Sequence, residues 1–128
     1  MTQLTITLDN RPGALAKAIK LLSTKKINIA GIGGELIGVF GSIHLLVTDK
    51  SAIAKKVLEK AGYHVKLSPA IKIAMVNKPG ELSKYLKKLA AKKVNIVTMY
   101  GTACDCGCDC KSNLMIIPDN IDRAKKAI

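Results

Sequence analysis

The chain is poor in the side chains that read bases and stack on them. It has no tryptophan, one phenylalanine and three tyrosines in 128 residues. Cationic side chains number 21 against nine acidic ones, a net charge of +12, yet only Arg11 and Arg123 are arginines. Nucleic-acid readers favour arginine for bidentate base contacts and aromatics for stacking. A lysine excess without them reads as solvated helix faces and argues against a nucleic-acid surface, the weakest of the functional readings. A membrane span is also missing. The most apolar run, Ile27 to Val47, is broken by Glu35 and by Gly31, Gly33, Gly34, Gly38 and Gly41. No basic segment followed by an apolar stretch opens the chain, so a cytoplasmic protein with reduced thiols is expected. Histidine is scarce as well. His44 and His64 lie in apolar strand patterns with no neighbouring nucleophile or carboxylate pattern, so both read as structural and no enzyme is expected.

What is present occurs twice. Asn10-Arg11-Pro12-Gly13-Ala14-Leu15 returns 67 positions later as Asn77-Lys78-Pro79-Gly80-Glu81-Leu82. Lys25-Lys26-Ile27-Asn28-Ile29 returns at the same offset as Lys92-Lys93-Val94-Asn95-Ile96, and Ile6 and Leu8 match Ile73 and Met75. Several segments agreeing at one offset define a duplication. Two units are expected, residues 1–68 and 70–128, joined at Ser68-Pro69. Each is near the lower size limit for independent folding.

Taken in order, Thr2 to Leu8 alternates as a half-buried strand. Asp9-Asn10 and the tight Pro12-Gly13 pair read as a turn and helix start, with Pro12 suited to an early helix position; the helix runs from Gly13 to Lys26, with Leu15, Ile19 and Leu22 on one face. Ile27–Ile37 and Ser42–Thr48 read as a hairpin, Ser51–Ala61 as a helix stopped by Gly62, and Tyr63–Leu67 as a fourth strand. The second unit repeats strand (71–76), helix (80–93), strand (94–100) and strand (113–117), and ends before a counterpart of the fourth strand. This order is the α+β, ferredoxin-like βαββαβ arrangement, with antiparallel sheets of order 4-1-3-2 and helices on one face. The glycines at 31, 33, 34 and 38 do not form a dinucleotide loop, because no helix follows them. In strands they mark bulges or close backbone approach.

A strand, then Asn-x-Pro-Gly-x-Leu, a lysine-bearing helix and Ile/Val-Asn-Ile resembles the ACT domain, a small regulatory ligand-binding module. The resemblance covers both copies. It implies an amino acid or similar metabolite held between paired domains, in contact with the loop that opens the first helix and with the second strand of the partner domain. By position it implicates Asn10, Arg11, Pro12, Gly13, Ala14, Leu15 and Asn28 in the first copy. In the second it implicates Asn77, Lys78, Pro79, Gly80, Glu81, Leu82 and Asn95. Physically, side-chain-free glycine at a helix start leaves backbone N–H groups open to a carboxylate, and asparagine both donates and accepts. The alternative is that the same residues only cap and turn the chain. With no catalytic domain in the sequence, the regulated protein is expected on another chain.

All four cysteines fall in Cys104-Asp105-Cys106-Gly107-Cys108-Asp109-Cys110, a cysteine-rich insertion in the second hairpin. Alternation places Cys104, Cys106, Cys108 and Cys110 on one face of an extended chain. Four thiolates suit zinc, copper(I) or an iron–sulfur cluster, and the spacing does not choose among them. A redox disulfide pair and an unliganded loop are the other readings. A metal or redox sensor on the same scaffold is therefore the alternative function. The absent last strand of the second unit would leave Ile71–Val76 as an open edge, from which a homodimer is expected.

Overall fold

A computed structural model describes residues 1–102 and 111–128. It divides into two compact units, Met1–Pro69 and Ala70–Ile128. Unit one comprises β1 (Thr2–Asp9), α1 (Ala14–Thr24), β2 (Ile29–Ile37), β3 (Phe40–Val47), α2 (Ser51–Lys60) and β4 (Val65–Pro69). Its antiparallel sheet has the order β2-β3-β1-β4. Unit two comprises β5 (Ile71–Val76), α3 (Glu81–Ala91), β6 (Ile96–Thr102), β7 (Lys111–Pro118) and α4 (Ile121–Lys125), with the sheet order β5-β7-β6. Both units are ferredoxin-like, and the sheet of unit two has three strands among the described residues.

The alternation of β1 builds the first core. Leu4 pairs with Leu45 and Leu67, and Ile6 with Ile43 and Val65. Leu4, Ile6 and Leu8 pack with Ala18 and Leu22 of α1 and Ala54 and Leu58 of α2. Each buried Leu or Ile contributes about 1.5–3 kcal/mol. In unit two Ile73, Met75, Leu114 and Ile116 meet Leu89, Val94 and Ala124 in the same way.

Three helices end alike. Ile27, Tyr63 and Val94 donate their N–H to the carbonyls of Leu22, Leu58 and Leu89, at 3.2, 3.1 and 3.0 Å. The preceding residues, Lys26, Gly62 and Lys93, have φ of 52°, 92° and 52°. These are Schellman closures, each joining an apolar pair that belongs to the core. Gly62 serves as the stop that its sequence position suggests, whereas two lysines adopt the left-handed conformation unaided.

The duplication extends to irregularities. The β2–β3 register shifts between Ile29 and Gly31, and the β6–β7 register between Ile96 and Thr98, so Ala30 and Val97 are the extra residues of equivalent bulges. Gly34 and Gly101 are also equivalent. A Cβ on Gly34 would lie 2.8 Å from Ile43 Cδ1, and one on Gly101 would lie 3.2 Å from the Asn113 carbonyl.

Three expectations need correction. Ser68-Pro69 is not a linker, because Ser68 pairs with Gln3 and Pro69 with Thr2 at the end of β4. That strand starts at Val65, later than expected, because the α2 closure takes up Tyr63; His64 is exposed ahead of it. Pro12 and Pro79 stand in the expected Pro-Gly turns, ahead of helices that start at Ala14 and Glu81, and not at an early helix position.

Candidate functional site

Each Pro-Gly pair forms a tight turn before its helix. The Ala14 N–H donates to the Arg11 carbonyl at 3.1 Å, and the Glu81 N–H to the Lys78 carbonyl at 3.2 Å. Gly13 has φ 84° and ψ −12°, and Gly80 has φ 89° and ψ −17°. Proline second and left-handed glycine third define a type II turn. The glycine is then the helix N-cap, with no side-chain capping bond in either copy. One orphan donor of the first turn is satisfied by the turn itself; the next N–H groups, of Leu15 and Ala16 in α1, point out of the helix end.

The copies diverge in charge at this point. Helix α1 has no acidic residue in its first turn, whereas α3 carries Glu81 there. Glu81 accepts from Lys84, one turn on, and this hydrogen bond raises the lysine pKa. The equivalents of Glu81 and Lys84 in the first copy are Ala14 and Lys17. Thus α3 offsets its own positive end, while α1 presents an uncompensated one beside Lys17. Nearby, Arg11 Nη2 donates to Asp9 Oδ2 at 2.5 Å across an exposed surface. The Asn10 N–H donates to the Val39 carbonyl at 3.3 Å, tying the loop to the β2–β3 hairpin.

The α1 loop opens on a cleft of ≈ 520 Å³, walled by Leu8, Pro12, Gly13, Lys17, Ala61 and Tyr63. That volume suits a small metabolite. The α3 loop borders a smaller cleft of ≈ 290 Å³, with Asn77, Lys78, Leu82, Ser112 and Asn113 in its wall. Ser112 Oγ is buried without a hydrogen-bond partner among the described residues. Ala61, Tyr63, Ser112 and Asn113 were not singled out from the sequence. Tyr63 follows the Gly62 stop directly, which is the one signal that placed it near a helix end.

The remaining candidates separate. Leu15 packs on the core, so only its backbone faces the loop. Leu82, its counterpart, is 41 % exposed. Asn28 is exposed just before β2, next to the end of the sheet where Ile29 and Thr2 both pair with Val47. It therefore lies about 23 Å from its own loop, seven strand steps along β1. Asn95 is engaged within its unit. Its N–H and Nδ2 donate to the Asp119 carboxylate at 3.1 and 3.3 Å, and the Asp119 N–H returns to its carbonyl at 2.9 Å. His44 Nδ1 lies 3.2 Å from both Gln3 Nε2 and Thr5 Oγ1 in a part-buried polar cluster. Cys104, Cys106, Cys108 and Cys110 lie outside the described residues. Among the described residues no cluster of three or more metal-ligating side chains occurs. None of their helices is long and apolar enough to cross a membrane.

The described residues thus form a doubled ferredoxin-like unit with a type II turn at the start of α1 and of α3. The chain belongs to the ACT domain pair family, which matches residues 1–128. Among solved structures it is similar to protein BT0572 from Bacteroides thetaiotaomicron, at 29 % identity and TM-score 0.86, over 98 % of this chain and 84 % of that one. It shares the fold of the regulatory subunit of aspartate kinase from Thermus thermophilus, at 20 % identity and TM-score 0.75, over 98 % and 89 % of the two chains. The corresponding Thermus flavus subunit gives 19 % and 0.70, over 98 % and 88 %. No curated protein is similar enough to match.

Proposed function

We propose that the chain is a non-catalytic regulatory protein that binds an amino acid or a similar carboxylate-bearing metabolite at the first-copy loop, Asn10 to Leu15. One observation carries the reading: α1 opens on a metabolite-sized cleft with an uncapped, uncompensated positive end, while α3 neutralises its own. Backbone N–H groups of the α1 start would take the carboxylate. Asp9, in the same cleft wall, is the acidic group within reach of an ammonium. The family relationship and the shared fold with aspartate kinase regulatory subunits support regulation of a protein on another chain. Asn28 is remote from its own loop and lies outside the proposed site.

A panel of the common amino acids and their carboxamide counterparts, read by thermal shift and then calorimetry, tests this. At least one amino acid should raise the melting temperature, and its carboxamide should not. A flat panel sinks the reading.

The cysteine run carries a separate proposal. Four thiols within seven residues would bind zinc, copper(I) or an iron–sulfur cluster. Metal analysis of anaerobically purified protein should find stoichiometric metal, lost in a Cys106→Ser, Cys108→Ser variant that still binds the amino acid. Metal-free protein would remove this proposal and leave the first intact.

A further inference from the structure

Away from the loop, unit one holds a second recess of ≈ 550 Å³ between the outer faces of α1 and α2. Its floor is Leu21, Ile53, Val57 and Ala61, and its rim is Lys25, Lys56 and Lys60. Ile53 is 49 % exposed there. No carboxylate lines it. Helix α1 contains no acidic residue, and the single acid of α2, Glu59, points elsewhere and pairs with Lys55 at 3.6 Å. The spacing explains the segregation. Residues 53, 56, 57 and 60 form one helical stripe, 54 and 58 turn to the core, and 55 and 59 take the third side.

We infer that this groove docks an acidic amphipathic helix of a partner protein. Two adjacent antiparallel helices leave a trough that a third helix fills by ridge-and-groove packing. Lys56 and Lys60 stand one turn apart, about 6 Å, the spacing that glutamates at i and i+4 present on a facing helix. None of the four described helices, in this chain or a second copy, is that guest, because α1 has no carboxylate and α2, α3 and α4 have one each. Apolar burial would supply the attraction, and the lysine rim would select the partner and its register. The inference does not rest on the ligand site, although Ala61 borders both recesses.

The test uses the full chain without ligand. The probe is a synthetic helix of about five turns, with leucine on one stripe and glutamate at i and i+4 beside it; a lysine-for-glutamate version is the control. Amide chemical shifts locate binding and fluorescence anisotropy measures it. The acidic peptide should shift residues around 21–25 and 53–61. A Lys56→Glu, Lys60→Glu variant should bind it about tenfold or more weakly and should gain preference for the lysine peptide. These side chains are exposed, so melting should not change; Lys25→Glu on α1 is the second variant and should weaken binding independently. The inference fails if the acidic peptide does not bind or if both reversals leave affinity unchanged. It also fails if shifts spread equally over the lysines of α3, or if anionic vesicles or duplex DNA bind the groove in preference to the peptide.

Discussion

At the residue scale, Lys26 and Lys93 hold left-handed backbone with φ of 52°. A side chain in that conformation costs about 1–2 kcal/mol relative to glycine. Lys26→Gly and Lys93→Gly should each stabilise their own unit by about 1 kcal/mol, measured by urea unfolding. No gain at either position would mean that the lysine stems pack favourably enough to offset the strain. Tyr100 gives a pH-dependent case. Its hydroxyl is buried without a partner among the described residues, and burial pushes its pKa up from the ordinary value of 10.0. A group whose folded pKa is raised holds its proton more tightly in the folded state. Stability is therefore fully present below the unfolded pKa and falls as pH rises through the folded one. Melting temperature should decline above about pH 10, and Tyr100→Phe should lessen that decline. An unchanged alkaline limb in Tyr100→Phe would assign it to other groups.

At the element scale, Asp119 ties the start of β6 to the end of β7 through three hydrogen bonds with Asn95. Asp119→Ala should cost unit two about 1 kcal/mol and speed amide exchange at residues 95–97, with unit one unaffected. Equal exchange in both proteins would show the bracket to be dispensable. This bracket also marks what was legible from sequence. The strand and helix order, the sheet order of unit one and the order of the described strands of unit two could be read because period-two and helical patterns recur at a fixed offset. Asn95 matched Asn28 in sequence and both are exposed, but only the fold shows that Asn95 is bonded to an aspartate. Pro12 reads equally well as a first helical residue or as the second residue of a type II turn; the left-handed Gly13 decides it. Ser68-Pro69 looks like a linker because proline weakens strands, yet β4 is an edge strand, where proline is tolerated. The contrast between Ala14 and Glu81 lies in the repeated motif itself. Its meaning depended on knowing that both sit at the first position of an uncapped helix.

At the scale of the whole molecule, assembly and ligand binding are linked proposals. Leu36, Ile37, Val39 and Phe40 are each at least half exposed on the β2–β3 hairpin, and β2 is an edge strand. Such an edge invites pairing, and a closed two-fold dimer is the commonest outcome. Light scattering after size exclusion at tens of micromolar is expected to give a dimer that Phe40→Lys weakens. A clean monomer would contradict this. The ligand claim is tested most directly by calorimetric titration of wild type, Ala14→Glu and Glu81→Ala with the amino acid found in the panel. Ala14→Glu recreates beside Lys17 the pair that Glu81 forms with Lys84, so α1 would neutralise its own N-terminus. Binding should weaken about tenfold or more in Ala14→Glu and stay unchanged or gain a second site in Glu81→Ala. Undiminished binding by Ala14→Glu would place the ligand somewhere other than the α1 loop.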